Sequence, residues 1–303
     1  MAKSKGGLGE ATRAEVVALR ARCLYLVVLR GWAEAKKKQK SGKPRDVLDY
    51  DPFPKWSDKD LYSLVKDTAQ QVPFKKGLTS SERKLVLARL GSLPNFRKRE
   101  STHRAEGVAR LLWCLGNGPD LVAYSPFSDL AYKALDPARD LSASPLELFA
   151  TPRLRPTAQI KRQQALDSAW LWRARIAILP MTVAISGDAL DDRDKEVTEF
   201  FKELVAKRAA ACAANGLFEP LKNDFPADKK PFQKAVDRLL SPDSVELIYR
   251  ERVRALNWAL DPAQNWHKTE TPTPLGKVMP KWMMGEQPFL KYMLNPGGDA
   301  RWY

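Results

Sequence analysis

The chain has 303 residues, 44% of them hydrophobic and 29% charged, enough apolar side chain to bury a substantial core without covalent staples. Cys23, Cys114 and Cys212 stand far apart with no paired spacing, so they read as small buried hydrophobes rather than a disulfide framework or a metal site. The formal net charge of +15 is unevenly spread: residues 1–100 hold 23 basic and 11 acidic side chains, residues 101–303 hold 28 and 25. A basic excess confined to one third of a chain suits contact with nucleic acid, an anionic membrane surface or an acidic protein.

Thr12 and Glu15 have capping-box spacing, and Val16, Val17, Leu19, Cys23, Leu24, Val27 and Val28 recur at helical intervals, which predicts a long first helix to about Lys38. Its apolar run, Cys23 to Leu29, is flanked by Arg20, Arg22 and Arg30. The run falls far short of the roughly 20 residues of a membrane span and has no cleavage site after it, so a cytoplasmic chain is expected. The helix end carries Lys36, Lys37, Lys38, Lys40, Lys43 and Arg45, a candidate anion-binding patch. Its plainer explanation is a solvated helix end whose lysines complement the dipole. Residues 41–55, with Pro44, Pro52 and Pro54, read as an extended connection.

Ser57 with Asp60 marks a second helix and Thr79 with Glu82 a third, closed by Gly91 and Pro94. Residues 96–100 read as a charged connector and subdomain boundary. A helix over residues 101–115 ends at Gly116, where a left-handed cap needs glycine. After Pro119, the prolines 126, 137, 145, 152 and 156 leave room only for helices of one or two turns. Thr157 opens a strong helix through Ile160, Leu166, Trp170, Ile176 and Leu179, with Pro180 as its expected stop. Residues 191–196 open another, through Phe200, Phe201, Leu204 and Val205 to Gly216. Ser241 and Pro242 start the last long helix, through Val245, Ile248, Val253, Leu256 and Trp258.

The tail after Asp261, with Trp266, Trp282, Phe289, Tyr292, Trp302 and Tyr303, is expected to pack over the helices. No alternating run is long enough to seed a sheet. The fold expected is all-α: an irregular multi-helix bundle with short helices and a proline- and aromatic-rich C-terminal tail. The expected division is a basic segment (1–100), a helical core (101–271) and the tail (272–303).

Four segments carry a family resemblance: residues 15–30; His103-Arg104-Ala105-Glu106 leading to Leu111-Leu112-Trp113-Cys114-Leu115-Gly116; Leu154-Arg155 with Ile160 and Asp167 ahead of Trp170-Leu171-Trp172; and Glu251-Arg252, then Ala255-Leu256-Asn257-Trp258 with Trp266, Thr269 and Thr271. In this order they resemble a mainly bacterial family known as domain of unknown function 4272. His103 stands where that family usually has tryptophan, and His267 where it tends to have aspartate. The family has no established activity, so the resemblance implies a bacterial setting and no function.

The chemistry on offer is thin. His103 and His267 are the only histidines, which excludes a histidine-rich metal site and leaves two candidates for histidine acid–base work. No nucleophile elbow, phosphate loop, zinc helix or dinucleotide fingerprint occurs, and no cofactor is expected. The polar residues Arg104, Glu106, Arg155, Asp167, Glu251, Arg252 and Asn257 lie in or beside tryptophan-bearing helices. Buried together, they would have to pair. They form either a structural ion-pair network or a polar pocket lined by Trp113, Trp258 and Trp266, in which an arginine fork would take a carboxylate or phosphate.

Three functions follow. The first is a non-catalytic module that binds another protein, with an acidic surface as the complementary chemistry. The second is a nucleic-acid binder that uses the basic third, with Trp32 and Trp56 stacking on bases. The third, carried least by the residues, is an enzyme with an acid or base among Glu106, Glu251 and His267.

Overall fold

The computed structural model describes residues 10–39, 56–116, 153–185, 192–227, 230–232, 242–269 and 271. Among these are eight α-helices: α1 (Glu10–Gln39), α2 (Asp58–Gln70), α3 (Val72–Gly77), α4 (Ser80–Leu87), α5 (Asn95–Cys114), α6 (Thr157–Ile185), α7 (Asp192–Ala214) and α8 (Pro242–Leu260). The all-α expectation holds. The extended pairing described is a two-residue ladder, β1 (Pro226–Ala227) antiparallel to β2 (Lys230–Pro231). Among the described residues no helix is long and apolar enough to cross a membrane.

The chain divides into two compact units, described residues 10–116 with 153–156, and 157–271. In the first, α1 is the axis. It is buried on every side from Cys23 to Glu34, as an interior helix must be if it is apolar all round. Helix α5 runs along it, and α2, α3 and α4 pack on it as well. Two glycines set close approaches: a Cβ on Gly31 would lie 2.8 Å from Ser101 Cβ of α5, and one on Gly77 would lie 2.7 Å from Cys23 Sγ.

Local chemistry explains the ends of these helices. Ser57 Oγ accepts from Asp60 N at the start of α2. At α4, Thr79 and Glu82 complete a reciprocal capping box, satisfying two of the amides that a helix start leaves open. Helix α5 ends at Gly116, φ +76°, as its glycine predicts.

In the second unit, α6 and α8 lie against each other, and Trp170 is the centre of the core. Its ring meets Phe225 edge-on at 5.2 Å, stacks with Tyr249 at 5.9 Å, and also contacts Phe218 and Phe232. Phe201, Val205, Ala209 and Cys212 bring α7 into the same cluster. Helix α7 closes with Gly216 at φ +64°, Leu217 N donating to Cys212 O at 3.0 Å and Gly216 N to Ala213 O at 2.8 Å, the paired bonds of a glycine C-cap.

Several boundaries differ from expectation. Helix α1 begins at Glu10, so Thr12 lies inside it rather than capping it. Helix α3 escapes the periodicity because it is only one and a half turns long; Pro73 sits in its first turn, where a missing N–H costs nothing. Residues 96–100, expected as a connector, form the opening of α5 after Pro94, and α5 belongs with α1 to α4 in one unit. Helix α6 continues through Pro180 to Ile185, although a proline inside a helix removes one backbone bond and crowds the preceding turn. Residues 41–55, the short segments of 117–152 and the tail beyond residue 271 lie outside the described residues.

Candidate functional site

Charge in the first unit is sorted by depth. Glu82, buried at the start of α4, accepts from Arg20 of α1 through both of its oxygens. It accepts also from Arg104 Nη1 of α5 at 2.8 Å and from the Thr79 amide at 3.0 Å. One carboxylate therefore joins three helices and caps one of them. Burial works against its ionisation, but Arg20, then Arg104 and the Thr79 amide, hold it down to about 2. Arg104 Nη2 reaches on to Glu100 at 3.2 Å. Burial likewise opposes the charge on Glu100, and Arg104 and Arg97 hold it below the usual carboxylate range.

A second buried pair lies further along α1. Arg30 donates to Glu34 Oε1 at 2.7 Å and to the carbonyls of Ala88 and Arg89 at 3.0 and 3.1 Å. Glu34 in turn accepts from the Gly91 amide at 2.7 Å. The pair thus satisfies the end of α4 and the turn into α5, where Gly91 has φ +89°. The Arg30 guanidinium lies 5.0 Å from the Tyr62 ring centroid.

Of the ten polar and tryptophan residues picked out from the sequence, four belong to this unit. Arg104 is in the Glu82 network, and Glu106 is buried in α5. Arg155 and Trp113 come together: the guanidinium lies 4.7 Å from the ring centroid, and Nε donates to Trp113 O at 2.8 Å.

The other six belong to the second unit. Asp167 is fully buried and accepts from Gln163 at 3.0 Å. Glu251 pairs with Arg254, and Arg252 lies over the Tyr249 ring at 4.8 Å. Asn257 accepts from Gln164 at 2.7 Å. Trp258 donates to Gln264 O at 3.0 Å and meets Trp266 edge-on at 5.8 Å. Of the lining proposed from the sequence, Trp258 and Trp266 are thus in contact, and Trp113 belongs to the other unit.

Sequence reasoning missed the strongest pairs. It read Glu82 only as a cap and Arg20 and Arg30 only as flanks of the apolar run, although arginines within a helix this apolar were the available signal. Arg173 grips Asp224 through Nε and Nη2 at 2.7 and 3.0 Å, a fork-to-carboxylate fit. Asp224 is delivered by a two-residue turn in which Lys222 and Asn223 both have positive φ, the geometry of a tight hairpin. Arg175 holds Glu246 at 3.0 Å and the Thr271 carbonyl at 2.9 Å. Burial opposes ionisation of Glu246, and Arg250 and Arg175 keep it below the usual range.

Carboxylates clamped by arginine lose proton affinity, the reverse of what a general acid or base working near neutrality requires. His103 is half-buried, with Nδ1 at 2.7 Å from Arg99 O, and His267 is exposed on a 3-10 turn, Trp266–Lys268. Burial pushes the Cys23 thiol up to about 12, where it is a poor nucleophile. Among the described residues no group of three or more His, Cys, Asp or Glu is placed to hold a metal ion.

The basic patch is partly in view: Lys36, Lys37 and Lys38 stand in the last turns of α1, and Lys40, Lys43 and Arg45 lie outside the described residues. Of the two aromatics considered for base stacking, Trp32 is buried at 2% exposure and Trp56 is half-buried. Compared with protein-family models, with curated proteins and with solved structures, the chain matches none of them.

Proposed function

We propose that the chain is a non-catalytic helical interaction module of a bacterial cytoplasmic system, and that its partner is a protein presenting an acidic surface. The observation that carries this reading is the sorting of charge in the first unit. Glu34 and Glu82 turn inward onto Arg20, Arg30 and Arg104, so they do nothing to neutralise the outside. Over residues 56–100 the exposed charges are Lys59, Lys66, Lys75, Lys76, Arg83, Lys84, Arg89, Arg97 and Arg99 against Asp60 and Asp67. Such a surface attracts an anionic partner and speeds its approach.

Nucleic acid is the competing partner for the same charge. Burial of Trp32 counts against it, because single-strand binders rely on aromatic faces open to the bases. The test is capture by the tagged full chain from native lysate at low and moderate salt, with and without nuclease. One protein recovered in near-equal amount and indifferent to nuclease supports the reading. Nucleic acid released at moderate salt overturns it.

A further inference from the structure

The exposed cations of the first unit are spread over several helices, but four of them flank a single point of attachment. Gly77, the last residue of α3, packs on Leu19 and Cys23 of α1, and Glu82 of α4 bonds to Arg20 of the same turn of α1. The end of α3 and the start of α4 therefore dock side by side, joined through Leu78 and Thr79. Lys75 and Lys76 immediately precede this anchor and Arg83 and Lys84 immediately follow it, and all four are exposed.

Val72 stands three and four residues before the two lysines of α3, on the face they share. It is 65% exposed, while Phe74 of the same helix is buried against the unit. The other large exposed hydrophobic described, Phe96, has the Arg97 guanidinium 5.2 Å from its ring centroid.

We propose that these four exposed cations of the α3–α4 junction form a ridge that docks an acidic segment of a partner protein, and that Val72, beside the two lysines of α3, takes an apolar side chain of that segment. This rests on the acidic-partner reading above and gives that partner a place to bind. Charge complementarity argues for the acidic segment, and an aliphatic rather than aromatic centre argues for a peptide over a base.

The test uses the full chain and three labelled probes: a polyglutamate peptide, a glutamate-rich peptide with spaced leucines, and an oligothymidylate of equal charge. The leucine-bearing peptide is expected to bind most tightly. Reversing the ridge (K75E/K76E/R83E/K84E) should weaken it by about tenfold or more, and K36E/K37E/K38E by less than about twofold. Val72→Ser should cost about threefold with the leucine-bearing peptide and leave polyglutamate unchanged. The four alanine substitutions at the ridge serve as a second variant, with circular dichroism verifying the helices of both.

If the peptide binds and ridge variants do not weaken it, or the residue 36–38 variant weakens it more, the ridge is overturned and the acidic-partner reading stands. If neither peptide binds, or oligothymidylate binds more tightly than both, the two fall together.

Discussion

Arg104 and Glu82 sit 22 positions apart and meet across 2.8 Å inside the first unit, on a carboxylate that Arg20 already holds. Removing that carboxylate leaves two buried guanidinia without it and takes away the half of the α4 capping box that accepts from the Thr79 amide. Glu82→Ala is therefore expected to cost about 3–5 kcal/mol, the scale for breaking a buried charge pair from one side. Arg104→Met, which leaves Arg20 in place, should cost less. Urea titration of the three chains measures both.

The same residue gives stability a dependence on pH. Folding depresses the Glu82 pKa from 4.5 to about 2, so its contribution is complete above the unfolded value and is lost as pH falls through the folded one. The difference corresponds to about 3 kcal/mol. The wild-type advantage over Glu82→Gln should be fully present at pH 6, shrink between about pH 5 and pH 2, and vanish at still lower pH. An advantage that is constant across this range would refute the assignment.

Glu34 and Arg30 pin the turn between α4 and α5 through the Gly91 amide and the Ala88 and Arg89 carbonyls. In Glu34→Ala the Gly91 amide loses its acceptor. Hydrogen exchange over residues 88–92 should accelerate well ahead of that over α3, whereas α2 is touched by Arg30 through the Tyr62 ring. Uniform acceleration across the unit would mean that the pair acts on global stability alone.

Gly31 and Gly77 separate two kinds of close packing. Alanine in mid-helix ordinarily gains about 1 kcal/mol over glycine. At Gly31 the new methyl would press on Ser101 Cβ and the Thr102 amide, atoms fixed to the α5 backbone; at Gly77 it would meet Cys23 Sγ and the end of Leu19. Gly31→Ala should therefore destabilise by about 1–3 kcal/mol, and Gly77→Ala by less, since the atoms it meets, Cys23 Sγ first and then Leu19, belong to side chains that can turn rather than to a fixed backbone. Thermal melts of the two variants decide the order.

What the sequence revealed divides along physical lines. Ser57 with Asp60, Thr79 with Glu82, Gly116 and Gly216 announced helix ends because capping is local, and the structure honours each of them. Helix α3 was illegible because six residues hold too little periodicity. The opening of α5 was misread because a run of charge looks the same on an exposed helix face as in a loop. The polar residues near the tryptophans were found but their partners were not: Arg104 meets Glu82, 22 positions away, and Asn257 meets Gln164, 93 positions away. Pairings at such separations depend on how helices cross, which no short window contains.

The Lys222–Asn223 turn carries a consequence for what the chain tolerates. Asp224 reaches Arg173 only because two residues reverse the backbone between Leu221 and Asp224. Substitution at exposed Lys222 keeps that reach, and glycine there relieves its positive φ. An insertion of one residue does not, since it displaces Asp224 from the Arg173 Nε and Nη2 that donate to it. This stretch is therefore constrained in length more tightly than in composition, the reverse of an ordinary surface loop.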